Sequence, residues 1–191
     1  MTKTRLEAFS DGVIAILITI MVLELKLPHG DDWQALVSLR PVLLSYVLSF
    51  VYLGIYWNNH HHMLHLTSRI NGRILWTNLH LLFWLSLIPF TTSWIGDNPH
   101  SAVPTAIYGA NLLMAGVAFM LLERSIIASQ GQDSPLAAAV GDDWKGIASA
   151  ALYAAAIPLA FVREWIADGI YVVVAMMWFV PDPRIESRMG S

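Results

Sequence analysis

The chain has 191 residues, 56% hydrophobic and 13% charged, with a mean hydropathy of +0.55, values that belong to polytopic membrane proteins and leave no stretch for a separate soluble domain. A net charge of −3 and a pI near 6.1, with no basic block and no Gly-rich phosphate loop, argue against a nucleic-acid partner. Cysteine is absent, which excludes disulfides, thiolate metal sites and cysteine nucleophiles.

Residues 5–27 form the first predicted element. A membrane-spanning helix needs about 20 apolar residues, and no charge falls between Gly12 and Leu23. Glu7 and Asp11 interrupt what would be the basic leader of a signal peptide, so this helix is expected to be retained. On a wheel of about 100° per residue, Phe9, Gly12, Val13, Ile20, Leu23 and Leu27 lie within roughly 60° of Ile16 and make one nearly continuous apolar stripe. Ser10 and Asp11 lie on the other side, and Val22 is expected on the face opposite the stripe, buried. A carboxylate at the entrance of an apolar span is costly without a partner or water, so other helices must answer Asp11.

Hydropathy places five more spans at residues 37–59, 74–94, 103–125, 145–162 and 165–180, with breaks at 28–32, 96–100 and 129–143. The last two are short and joined by Arg163-Glu164, which predicts a tight helical hairpin. An even number of spans puts both termini on one side of the bilayer. That side would hold eight cations (Lys3, Arg5, Arg69, Arg73, Arg124, Lys145, Arg184, Arg188) against three opposite (Lys26, Arg40, Arg163), so both termini are expected to be cytoplasmic. The fold class is therefore all-α: one transmembrane domain over residues 1–191, with six helices per chain, in the cell membrane.

The pattern Arg5-Leu-Glu-Ala-Phe9-Ser10-Asp11-Gly12 at the head of the first span resembles the RxxxFSDG signature of the transmembrane protein 175 family of potassium channels, in particular its short prokaryotic members. The resemblance extends into Trp57-Asn58-Asn59-His60-His61, Trp76-Thr77-Asn78 and Leu87-Ile88-Pro89-Phe90, and so covers about the first half of the chain. It implies a tetramer conducting potassium ions. It also implies that His60 or His61, with Trp57, belongs to a polar network tying the second span to the first.

The residues themselves ask for such a network. Arg5 precedes Asp11 by six positions and points about 120° away from it, which makes a pair within the helix awkward. Asn58, His60, His61, Trp76 and Asn78 fall at the cytoplasmic ends of the second and third spans, at the depth of Arg5, Ser10 and Asp11. An array of these groups would hold the first helix at a fixed rotation. Trp76 and Asn78 also suit plain anchoring at the membrane boundary. His61 and His65 stand four apart on one helix face, but no Glu-x-x-His or His-Glu-x-x-His accompanies them, and no metal or cofactor is assigned. Among the first three spans Asp11 is the only well-placed carboxylate, so no catalytic set is complete and the chain is not expected to be an enzyme.

The resulting expectation is a homo-oligomeric channel whose first helix lines a central pore, since one copy cannot enclose a symmetric pore with a single lining helix. No Thr-Val-Gly-Tyr-Gly filter is present. Rings of Ile16, Ile20 and Leu23 would make the constriction, with Thr19 beside them as the one hydroxyl able to meet a partly dehydrated cation. Two alternatives remain open at this stage. One is a proton- or solute-coupled transporter using Asp11 and the histidines as a relay; the other is a non-conducting membrane protein in which the same groups simply pack.

Overall fold

The computed structural model describes residues 2–141 and 143–179. Among them every regular element is an α-helix: α1 (Lys3–Leu23), α2 (Trp33–Ser38), α3 (Arg40–His65), α4 (Gly72–Ser86), α5 (Ile88–Asp97), α6 (Ala102–Gln130), α7 (Pro135–Val140), α8 (Trp144–Ala160) and α9 (Glu164–Phe179). Among the described residues four segments are long and apolar enough to cross a membrane: α1, α3, α4 and α5 taken together, and α6. The last two expected spans are helices of 17 and 16 residues, short of the ~20 that a straight crossing needs. Val180, the end of the expected sixth span, and the cations Arg184 and Arg188 lie outside the described residues.

Local chemistry moves several boundaries away from those read by hydropathy. α1 stops at Leu23 rather than Leu27, because Leu27 precedes Pro28 and a residue before proline is driven out of the helical region. Leu27 therefore does not continue the helical stripe. The second long helix begins at Arg40, with Pro41 in its first turn where the missing N–H costs nothing, and Val37 belongs to the separate α2. It runs six residues past Asn59, through the histidines to His65. Pro89 divides the third span into α4 and α5 at Leu87, since a proline in mid-helix removes a bond and crowds the preceding turn. Asn71 starts α4 by accepting from the Ile74 N–H at 3.0 Å, and Asp143 starts α8 by accepting from the Gly146 N–H at 3.1 Å.

The long helices alternate in direction. Lys3 Nζ donates to the His65 carbonyl at 2.6 Å, which sets the start of α1 beside the end of α3. At the opposite end Lys26 pairs with Asp97 at 2.6 Å, joining the exit of α1 to the end of α5. Two apolar cores result. One gathers Leu6, Ile14, Leu17 and Met21 of α1 with Leu53, Leu64, Leu81, Leu85 and Leu122. The other is built on small and aromatic residues of α3, α6, α8 and α9, among them Tyr52, Tyr108, Tyr153 and Tyr171. α8 and α9 are joined by three residues and pack as the hairpin expected, with Trp178 Nε1 donating to Ser149 at 2.8 Å.

Gly109 of α6 makes room for Tyr171 of α9: a Cβ there would strike the Tyr171 hydroxyl and ring. Tyr171 is fully buried and donates to the Thr105 carbonyl at 3.0 Å, so its ring has nowhere to move. Gly109→Ala should cost about 1–3 kcal/mol by overpacking. Thermal unfolding in detergent checks this, and a wild-type transition would mean that α9 shifts freely.

Candidate functional site

The site is built on α1, whose two faces differ sharply. Leu6, Ser10, Ile14, Leu17 and Met21 recur at helical spacing and are buried. Ile16 is 57% exposed, Ile20 40% and Leu23 80%, so the expected pore stripe is the uncovered face of the isolated chain. Thr19 is exposed beside them and donates to the Ile16 carbonyl at 2.8 Å, which leaves its oxygen free to accept or to meet a cation. Val22, expected to be buried, is 46% exposed. The uncovered arc of α1 is simply wider than the stripe, because α3, α4 and α5 pack mainly against its other side.

Three of the expected network residues meet in the interior. Asn78 Nδ2 donates to Ser10 Oγ at 3.0 Å. Its Oδ1 is therefore an acceptor facing His60, whose Nε2 carries the proton and donates at 2.7 Å. All three side chains are buried, Ser10 on α1, Asn78 on α4 and His60 on α3, so one amide ties three helices together. A second link lies one residue on, where Trp57 Nε1 donates to Asp11 Oδ1 at 3.0 Å. This gives the half-buried carboxylate its partner from α3.

The remaining expected members stand apart. His61 is exposed and stacks between Trp57, at 6.0 Å between ring centroids, and His65, at 6.5 Å. Arg5 and Asn58 are exposed and form no hydrogen bond or ion pair among the described residues. Trp76 is 75% exposed and sits outside the network. On α4, Trp76 is about 160° from Asn78, so the two cannot both face α1. The described residues contain no group of three or more side chains able to hold a metal ion.

A second polar cluster, not anticipated from the sequence, lies deeper. Thr92 Oγ1 is 2.7 Å from Ser49 Oγ, which is 2.9 Å from Tyr108 Oη, and Asn111 Nδ2 donates to Thr91 Oγ1 at 3.3 Å. Tyr52 donates to the Tyr171 carbonyl at 2.6 Å. The available signal was Ser49 and Tyr52 within one apolar run and Tyr108 and Asn111 within another, each pair three apart and so on one face. His80 was also passed over. It sits inside α4 and accepts from Trp84 Nε1 at 2.9 Å.

Comparison with known proteins bears on what this arrangement does. Residues 5–89 match the family described as endosomal/lysosomal potassium channel TMEM175, and these residues contain all but the first two residues of α1 and every member of the network. A potassium channel of Chryseobacterium sp. (strain P1-3) is 50% identical over 99% of this chain and 98% of its own length. The chain belongs to the TMEM175 family. The crystal structure of a lysosomal potassium-selective channel TMEM175 homolog from Chamaesiphon minutus superposes with a TM-score of 0.80 at 28% identity, covering 93% of this chain and 96% of that one. The endosomal/lysosomal proton channel TMEM175 of Gallus gallus is 32% identical over 54% of this chain but only 24% of its own length. TMEM175 relatives are thus channels and not enzymes, in line with the absence of a catalytic set from the sequence.

Proposed function

We propose that this chain is the subunit of a potassium channel in which α1 from each of four copies lines the pore and Ile16, Ile20 and Leu23 form its constriction. The observation that carries the reading is the division of α1 into a face locked to α3 and α4 by hydrogen bonds and an apolar face that no described residue covers. A helix held at one rotation presents the same side chains in every subunit, which a constriction of stacked rings requires. Successive rings would stand about 6 Å and about 4.5 Å apart along the axis, a short apolar plug that ions cross when it widens. The full-length likeness to a bacterial potassium channel supports potassium as the ion.

In this reading six helices cross the cell membrane, with α8 and α9 as the two short crossings, and both termini face the cytoplasm. Reporters fused after Ser191 and within residues 129–143 should both report the cytoplasm; an external signal from either would overturn the six-span arrangement. Recording purified protein in a planar bilayer under bi-ionic potassium and sodium decides the function itself. Unitary currents reversing toward the potassium potential are expected, whereas saturable, proton-coupled flux without unitary events would favour a transporter working through Asp11 and the histidines. Against that alternative, the His60 Nε2 proton is held by Asn78 in the interior while His61 and His65 lie on the surface, so the histidines do not line one path.

A further inference from the structure

Asn78 turns α4 toward Ser10 of α1, and the opposite face of α4 is uncovered. On a wheel of about 100° per residue, Arg73, Leu79 and Phe83 lie within roughly 60° of Trp76. Trp76 is 75% exposed, Phe83 53% and Leu79 43%, and Arg73 is exposed below them. From Arg73 to Phe83 this row covers about 15 Å of helix, half of the ~30 Å hydrocarbon thickness of a bilayer and so the depth of one leaflet. Arg69, also exposed, precedes Arg73 by four residues and stands at most about 14 Å from it along the backbone. The loop between α3 and α4 that carries Arg69 is tied down at both ends. Thr67 Oγ1 donates to the Met63 carbonyl at 2.8 Å, and Asn71 accepts from the Ile74 N–H at 3.0 Å. The carboxylates at this corner are engaged elsewhere: Glu7 lies 3.9 Å from Lys3, and Asp11 accepts from Trp57. The Arg69 and Arg73 guanidinium groups form no hydrogen bond or ion pair among the described residues.

We propose that this face of α4 binds an anionic phospholipid, its phosphate held by Arg69 and Arg73, its glycerol region beside Trp76 and an acyl chain lying along Leu79 and Phe83. The charge of the ligand follows from the two unpaired guanidinium groups, which donate only and match the oxygens of a phosphate. Its lipid nature follows from the order of the row. Cations come first, then a tryptophan of the kind that settles at headgroup depth, then apolar side chains for the depth of one leaflet. A free phosphate would use only the first part of that row. A zwitterionic lipid brings its own cation to the arginines and loses most of the attraction. The pore stripe lies on α1, so this site stands or falls independently of whether α1 lines a pore.

The test uses the purified full-length chain in phosphatidylcholine vesicles, a minor fraction of whose lipid carries brominated acyl chains that quench tryptophan fluorescence on contact. That fraction is either phosphatidylglycerol or phosphatidylcholine, and the Trp76 signal is the difference between wild type and Trp76→Phe. Brominated phosphatidylglycerol should reach Trp76 in preference to brominated phosphatidylcholine by roughly tenfold, as two arginines at a membrane surface supply. Arg69→Gln combined with Arg73→Gln should bring that preference close to one, while Arg163→Gln, in the loop before α9, should leave it as in wild type. Equal quenching of wild-type Trp76 by the two lipids overturns the proposal, whether or not the variants fold. So does an undiminished preference in the folded double variant, or the same loss in Arg163→Gln. Replacing chloride with inorganic phosphate at equal ionic strength should preserve the preference; its disappearance would assign the arginines to a free anion and overturn the lipid site. Quenching of Trp76 by neither lipid would mean that a second copy of the chain covers this face, and overturns it as well.

Discussion

Ile16→Asn and Leu23→Asn should each raise single-channel conductance and reduce the discrimination between potassium and sodium. An ion crossing an apolar ring gives up part of its hydration with nothing in return, and a ring of amide oxygens restores some of that loss. At about 1–2 kcal/mol for such a contact, the crossing rate should rise roughly 5- to 30-fold. Stability should hardly change, because Ile16 and Leu23 are both exposed in the chain. The informative controls are Ile14→Asn and Leu17→Asn, on the buried face of the same helix, where an unpartnered amide should damage folding. Val22 cannot serve that purpose, being half-exposed itself. Reversal potentials under bi-ionic conditions and unitary conductance are the measurements. Unchanged permeation in the variants at Ile16, Ile20 and Leu23 would return the stripe to lipid contact.

The second large effect is expected at Asn78. Asn78→Leu fits an apolar side chain into the same buried volume but strands Ser10 and His60 together, and each unsatisfied group costs about 1–3 kcal/mol. Ser10→Ala or His60→Ala strands one side of the amide only and should cost about half as much. Trp57→Phe removes a bond to an Asp11 that still reaches solvent, for roughly 0.5–1.5 kcal/mol, and Asp11→Ala should behave similarly. Trp76→Ala, at an exposed position outside the network, should be close to wild type in the isolated fold. Thermal unfolding and the yield of assembled oligomer in detergent rank the series. Wild-type values for Asn78→Leu would remove the network as the device that holds α1 in place.

Helix type and the two-faced character of α1 were legible from the sequence because they depend on local periodicity. Apolar residues at Leu6, Ile14, Leu17 and Met21, and others at Ile16, Ile20 and Leu23, repeat along one helix whatever surrounds it. The choice of partners was not legible. His60 and His61 differ by about 100° of rotation, as do Asn58 and Asn59, so which of them turns inward depends on how α3 is rotated against α1 and α4. Packing of Leu53, Tyr56 and Leu64 settles that rotation, and it sends His60 to Asn78 while leaving His61 and Asn58 outside. The same holds for the Ser49, Thr92 and Tyr108 cluster, which joins residues up to 59 positions apart. Only the meeting of α3, α5 and α6 brings those hydroxyls within bonding distance, for a hydrogen bond is decided within a fraction of an ångström, a precision that helical periodicity in a single chain segment does not carry.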